Sequence, residues 1–168
     1  MTATEQTEAP EVAVIGAGSI GIAFAIVFAT AGIKVRVFDP FPQARVRGEA
    51  EIADRLAMLA EHGLLPHSPA TVAAHINFPD SLSTAVSDVC LVQECAPEKL
   101  EVKVEIIEEA ARYAPADSVL ASSTSAIVPS RIAERLGESA ARRVVVGHPG
   151  NPPYLLPVIE VVPSPHTA

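Results

Sequence analysis

Short apolar runs alternate along this chain with longer segments in which apolar residues recur every three or four positions. Glu11-Val12-Ala13-Val14-Ile15-Gly16 is an apolar run ending in glycine, and it predicts a buried strand. Ser19 to Ala31 is apolar almost all round and stops at Gly32, the pattern of a buried helix with a C-terminal glycine. Ile33 to Phe38 alternates, with β-branched residues on one face, and predicts a second strand ending at Asp39-Pro40. Pro42 to about Glu61 has the composition of an amphipathic helix, with Ala44, Val46, Ile52, Leu56 and Leu59 as its apolar positions. Gly63 closes it.

The alternation continues to the end of the chain. A short helix is expected at 69–74, a small strand at Ile76-Asn77-Phe78 and a turn of helix at 81–86. Val89-Cys90-Leu91-Val92 reads as a fully apolar strand. Leu100, Val104, Ile107 and Ala111 form the apolar stripe of a helix spanning Glu98 to Tyr113. Val119-Leu120-Ala121 and Val144-Val145-Val146-Gly147 are further strands, separated by a helix from Pro129 to Leu136. Val158 to Val162 is the last. Strands alternating with helices imply an α/β fold: a Rossmann-type, doubly wound, mostly parallel sheet with helices on both faces, as a single domain over residues 11–168. Residues 1–10, polar and acidic, are expected to be a disordered tail, with no signal peptide.

Composition narrows the chemistry. The net charge of −8 argues against a nucleic-acid binder, because nothing would neutralise a run of phosphates. It leaves a phosphate-bearing cofactor open, since a helix N-terminus binds phosphate without basic side chains. The longest apolar stretch, Ile20 to Ile33, is too short to span a bilayer, so no membrane partner is expected. Cys90 and Cys95 would lie about 16 Å apart on a strand, beyond disulfide reach. They read as reduced thiols of a cytoplasmic protein, and no metal site is expected.

Gly16-Ala17-Gly18-Ser19-Ile20-Gly21 follows a strand and opens a helix, the context a dinucleotide fingerprint requires. Gly16 serves the tight turn, Gly18 the approach of the pyrophosphate and Gly21 the close packing of helix on strand. Asp39, 18 residues after Gly21, would accept from the adenosine ribose hydroxyls and repel a 2′-phosphate, which favours NAD over NADP. Arg36 and Arg45 are close enough in sequence to weaken that preference. A glycine-rich turn without a ligand is the alternative.

His148 follows an apolar strand, and Glu160 lies within the next apolar run. A carboxylate buried between Ile159 and Val161 needs a partner, and the imidazole is the obvious one. Such a pair makes a general base, with Ser125 and Asn151 placed to orient a substrate oxygen. The alternative is a strand-end histidine satisfied by backbone and a solvent-facing Glu160. His62, His67, His75 and His166 read as surface residues, and Ser122, Ser123 and Thr124 as possible caps. Glu94 and Glu98 flank the end of the fourth strand, where a doubly wound sheet opens its crevice. Lys103, one turn into the following helix, reads as a solvated lysine.

Taken in order, the fingerprint, Val92-Gln93-Glu94-Cys95-Ala96-Pro97-Glu98, Ser122-Ser123-Thr124-Ser125 and His148-Pro149-Gly150-Asn151-Pro152-Pro153-Tyr154 resemble the NAD-binding domain of the 3-hydroxyacyl-CoA dehydrogenase family. Gln93 to Glu98 and Asn151 to Tyr154 are most similar to its lambda-crystallin / L-gulonate 3-dehydrogenase branch. The resemblance implies NAD-dependent oxidation of an L-3-hydroxy acid or 3-hydroxyacyl-CoA, in the chemistry of fatty-acid metabolism. It implies His148 and Glu160 as the catalytic pair, with Ser125 and Asn151 on the substrate oxygen. It places Gly16, Gly18, Ser19, Ile20, Gly21, Asp39, Glu98 and Lys103 at the cofactor.

The resemblance also implies a further helical domain that contributes to dimerisation and to the substrate pocket, and residues 11–168 are expected to lack it. A homodimer, or a separate helical chain, is therefore an expected partner. So is self-association through apolar surface left uncovered. The alternative function is an NAD-binding domain without independent activity: a truncated enzyme, half of a two-chain enzyme or a crystallin-like structural protein. A sugar- or hydroxyisobutyrate-type dehydrogenase fits less well, because the region after Tyr154 offers no lysine base.

Overall fold

The computed structural model describes residues 10–168, so the expected tail lies outside the described residues except for the exposed Pro10. Seven strands form one sheet: β1 (Glu11–Ile15), β2 (Lys34–Phe38), β3 (Ile76–Asn77), β4 (Leu91–Glu94), β5 (Val119–Ser122), β6 (Val144–Pro149) and β7 (Ile159–Pro163). Their order is β3-β2-β1-β4-β5-β6-β7. The first six are parallel, and β7 pairs antiparallel with β6 at the edge. The sheet reverses direction of growth between β1 and β4, and a crevice opens there beyond the strand ends.

Alternation in β1 shows how both faces are covered. Val12 and Val14 point into a core built with α1 (Ser19–Thr30), α2 (Pro42–Glu61) and α3 (Pro69–Ala73). Ala13 and Ile15 point into a second core, with α4 (Leu82–Val86), α5 (Leu100–Tyr113), α6 (Pro129–Ala133) and α7 (Glu138–Ala141). Residues such as Ile22, Ile26, Leu56, Ile107 and Leu120 are fully buried, each contributing roughly 1.5–3 kcal/mol. The doubly wound, mostly parallel sheet with helices on both faces is thus present.

Several boundaries shift. The apolar run at 89–92 becomes a strand only from Leu91, and it extends to the buried Glu94. The helix beginning at Pro129 stops at Ala133, and the separate α7 was not anticipated. Val46 is exposed rather than apolar lining, because the buried stripe of α2 runs through Ala44, Gly48, Ile52, Leu56 and Leu59. Among the described residues no helix is long and apolar enough to cross a membrane. Both cysteines are free.

Candidate active site

The glycine turn is shaped by three close approaches. Gly16 has φ +109°, and a Cβ there would stand 2.8 Å from the Cys95 carbonyl oxygen. A Cβ on Gly21 would meet the Gly16 carbonyl oxygen at 1.9 Å. At Gly18 no protein atom lies within 4 Å of that position, so the turn presents open space at the N-terminus of α1. Unpaired N–H groups and the positive end of the helix face it. Gly16, Ala17 and Gly18 line a cleft of about 500 Å³ with Asp39, Phe41, Val102 and Ile106.

Asp39 holds this turn from the end of β2. Its Oδ2 accepts from the Ala17 N–H and its Oδ1 from the Phe41 N–H, both at 3.0 Å. The two arginines that threatened the NAD preference are both engaged by protein groups. Arg36 pairs with Glu11 at the start of β1 and donates to the Thr84 carbonyl at 3.0 Å. Arg45 donates to the Asp39 carbonyl at 2.8 Å and pairs with Asp80 at 3.0 Å. A cradle with open space at Gly18, a helix N-terminus and the Asp39 carboxylate fits NAD, and Arg47 also lines this cleft.

Cys95 and Ala96 also wall a second cleft of about 340 Å³, lined by Ile20, Glu98, Ser123, Ser125, His148 and Asn151. The sheet places these side chains because β4, β5 and β6 all end here. The Cys95 N–H donates to the Ile15 carbonyl at 2.7 Å and the Ser123 N–H to the Glu94 carbonyl at 2.9 Å, which extends the ladder into both loops. The Gly150 N–H donates to the Val158 carbonyl at 2.8 Å, closing the loop that carries the exposed Asn151.

His148 and Glu160 are directly opposite one another in the β6–β7 register. Nδ1 and Oε2 stand 3.7 Å apart, an ion-pair contact just beyond hydrogen-bond reach. Glu160 is not buried as expected, for its side chain is 70% exposed and that of His148 37%. The reason is topological: β7 is an edge strand, and Val158, Ile159 and Val161 beside it are exposed too. Ser125 lies with His148 in both this cleft and a smaller one of about 130 Å³ on the Glu160 side.

Lys103 is not solvated. It is 1% exposed and lies beneath the loop rather than in either cleft. Its Nζ donates to both oxygens of the fully buried Glu94, at 3.0 and 3.1 Å, and to the Ala96 carbonyl at 3.2 Å. Ser122 donates to the same carboxylate, so it is part of this network and not a helix cap. Thr124 does act as a loop cap, its Oγ1 accepting from the Ile127 N–H at 2.9 Å. Sequence reasoning missed this network. The signal was Lys103 itself, which stands within the apolar stripe of α5, three residues after Leu100 and four before Ile107.

Two groups in the site are electrostatically displaced. Burial pushes the Cys95 thiol up to about 12, so it is a neutral wall and not a nucleophile. Burial also raises the Glu98 carboxyl, but the Thr124 hydroxyl, the Lys103 charge at 3.4 Å and the Ala126 N–H outweigh it and hold it below its usual range. Ser19 and Ile20 lie at the junction of the two clefts, Ile20 lining the second. Among the described residues no cluster of three or more His, Cys, Asp or Glu could hold a metal.

Comparison with known proteins agrees with this fold. The family model described as "3-hydroxyacyl-CoA dehydrogenase, NAD binding domain" matches residues 11–168. An L-carnitine dehydrogenase/betainyl-CoA thioesterase from Agrobacterium fabrum is 40% identical, over 90% of this chain and 30% of its own. A lambda-crystallin homolog from Bos taurus is 35% identical, over 94% of this chain and 49% of its own. The crystal structure of 3-hydroxybutyryl-CoA dehydrogenase from Escherichia coli K12 superposes with a TM-score of 0.85 at 30% identity, covering 96% of this chain and 34% of that one. The chain therefore spans half or less of the length of these relatives.

Proposed function

This chain belongs to the 3-hydroxyacyl-CoA dehydrogenase family as its NAD-binding domain, and from that premise we propose that it serves NAD-dependent oxidation of a 3-hydroxy acid or 3-hydroxyacyl-CoA to the 3-keto product. The observation that carries the reading is the cross-strand pairing of Glu160 with His148, which lines a cleft that shares Cys95 and Ala96 with the glycine-turn cleft. NAD, when bound, supplies the acceptor for the hydride leaving the hydroxyl-bearing carbon. Gly16, Gly18, Ser19 and the α1 N-terminus hold its phosphates and Asp39 its adenosine ribose.

The imidazole of His148 takes the proton of the substrate hydroxyl. Glu160, 3.7 Å from Nδ1, stabilises the imidazolium that forms. Ser125 and Asn151, which line the same cleft as His148, hold the substrate oxygen while the carbonyl develops. Glu98, kept ionised, orients the loop between the two clefts. The 3-hydroxy class includes carnitine, which the bacterial relatives' names specify, as well as L-gulonate and hydroxybutyryl-CoA.

A second reading, an NAD-binding domain without turnover of its own, is favoured by one observation. The edge strand β7 and the residue before it leave Val158, Ile159 and Val161 exposed to solvent.

The test is formation of NADH by this chain, offered L-carnitine, L-gulonate and 3-hydroxybutyryl-CoA separately. Turnover of any of them supports the first reading. In that case His148→Ala lowers turnover by at least ~100-fold, the usual contribution of a general base, with NADH affinity unchanged. NADH binding without any turnover supports the second.

A further inference from the structure

Arg55 joins two segments that act on different ligands. From α2 its Nη1 donates to the Ser19 carbonyl at 3.1 Å and its Nη2 to Ser19 Oγ at 2.8 Å. Glu51, one turn earlier, pairs with the same Nη2. The guanidinium lies over the ring of Tyr154, 5.8 Å from its centroid. Despite its length the Arg55 side chain is only 15% exposed. Ser19 belongs to the glycine turn, and Tyr154 to the 150–158 loop that carries Asn151. That loop is anchored on the same side by the buried Pro153, which shares a small cavity with Tyr154, Leu59 and Leu65.

The donor directions matter. Arg55 has only hydrogens to give, so both Ser19 oxygens act as acceptors towards it. The hydroxyl proton of Ser19 is then left to donate elsewhere, as is its N–H, which at the first turn of α1 has no intrahelical partner. Ser19 directly follows Gly18, where the turn leaves open space. A phosphate arriving there places negative charge beside the guanidinium and strengthens its hold on Ser19. A guanidinium held more firmly fixes the aromatic ring stacked on it.

We propose that Arg55 is a positioning residue that couples occupancy of the glycine turn to the order of the 150–158 loop, and hence to the placement of Asn151. This rests on the reading of the turn as the cofactor's phosphate site. By linkage, a substrate that orders the loop tightens the cofactor by the same factor. The planar fork that grips Ser19 and stacks on Tyr154 is a property lysine lacks.

The experiment is amide hydrogen exchange of the 168-residue chain with and without NADH, read over residues 150–158, with NADH binding titrated in parallel by its fluorescence. In the wild type, bound NADH slows exchange of the loop roughly fivefold or more, the lower range of measured couplings. Arg55→Met removes that slowing while NADH still binds, and Arg55→Lys does not restore it in full. Tyr154→Leu, which keeps apolar packing against Leu59 but loses the ring, removes it as well and decides the matter should Arg55→Met fail to fold. A purely structural arginine would speed loop exchange equally with and without NADH, and that result overturns the proposal. NADH bound to the wild type with no slowing overturns the coupling alone. No NADH binding overturns the cofactor reading along with it.

Discussion

Lys103 and Glu94 form an ion pair that neither water nor ligand reaches: Nζ meets the carboxylate at 3.0 Å, and the two side chains are 1% and 0% exposed. The pair ties α5 to the ends of β4 and β5, and through the Ala96 N–H and carbonyl it fixes the segment shared by both clefts. A buried pair adds little net stability, but breaking it strands a charge. Lys103→Met is expected to cost about 3–5 kcal/mol in urea unfolding, and Glu94→Gln with Lys103→Met to recover a large part of that loss. A double variant no more stable than the single one would show that the lysine's role is packing, not charge.

Gly21 and Gly18 separate folding from binding. Gly21→Ala drives a Cβ into the Gly16 carbonyl and lies 3.2 Å from Val14 Cγ1, so the strand–helix contact must open. The cost is on the order of 1–3 kcal/mol, seen as a fall in Tm of roughly 2–4 °C for each kcal/mol. Gly18→Ala meets nothing in the protein and is expected to leave Tm unchanged while weakening NADH binding. Equal losses of Tm in the two variants would contradict this division.

The two thiols differ in chemistry. Cys90 is exposed, whereas burial lifts the Cys95 thiol to about 12 and keeps it protonated at neutral pH. Iodoacetamide is expected to modify Cys90 first in the native protein and Cys95, held as the thiol, more slowly, as peptide mass mapping would show.

Glu98 carries a pH dependence whose sign follows from its lowered carboxyl. Its usual value is 4.5, and its folded value lies below that. The stabilisation is therefore complete above 4.5 and is lost as pH falls through the folded value. Comparing thermal melts of the wild type and Glu98→Gln across this range, the advantage of the wild type should be constant at neutral pH and shrink in acid. An advantage that grew in acid would mean the carboxyl is raised.

Much of the site was legible because backbone demands fix residue types. Gly16 and Gly21 stand where a Cβ would collide, and Asp39 stands where β2 ends against the turn. The sheet's alternation was legible too, in the opposite destinations of Val12 and Ala13. Glu160 was misjudged because apolar neighbours in sequence do not reveal whether a strand is central or at an edge. The linker of 150–158 could have said so, being too short for a parallel crossover and compelling an antiparallel return. Lys103 was misjudged because a lysine is usually solvated, and its partner lies nine residues back on another element. Arg55 gave no local sign, since Ser19 and Tyr154 meet it only in three dimensions.

The return from β6 to β7 is also a ruler. His148 faces Glu160 because nine residues, 150–158, separate two strands paired in one register. One residue added to that loop, with β7 slipping one position along the ladder, would bring Ile159 opposite His148 and turn the carboxylate to the other face of the sheet. Two residues would restore the face but carry the carboxylate about 7 Å along the strand. The length of an exposed loop, independent of its composition, thus decides whether the imidazole has an acidic neighbour at all.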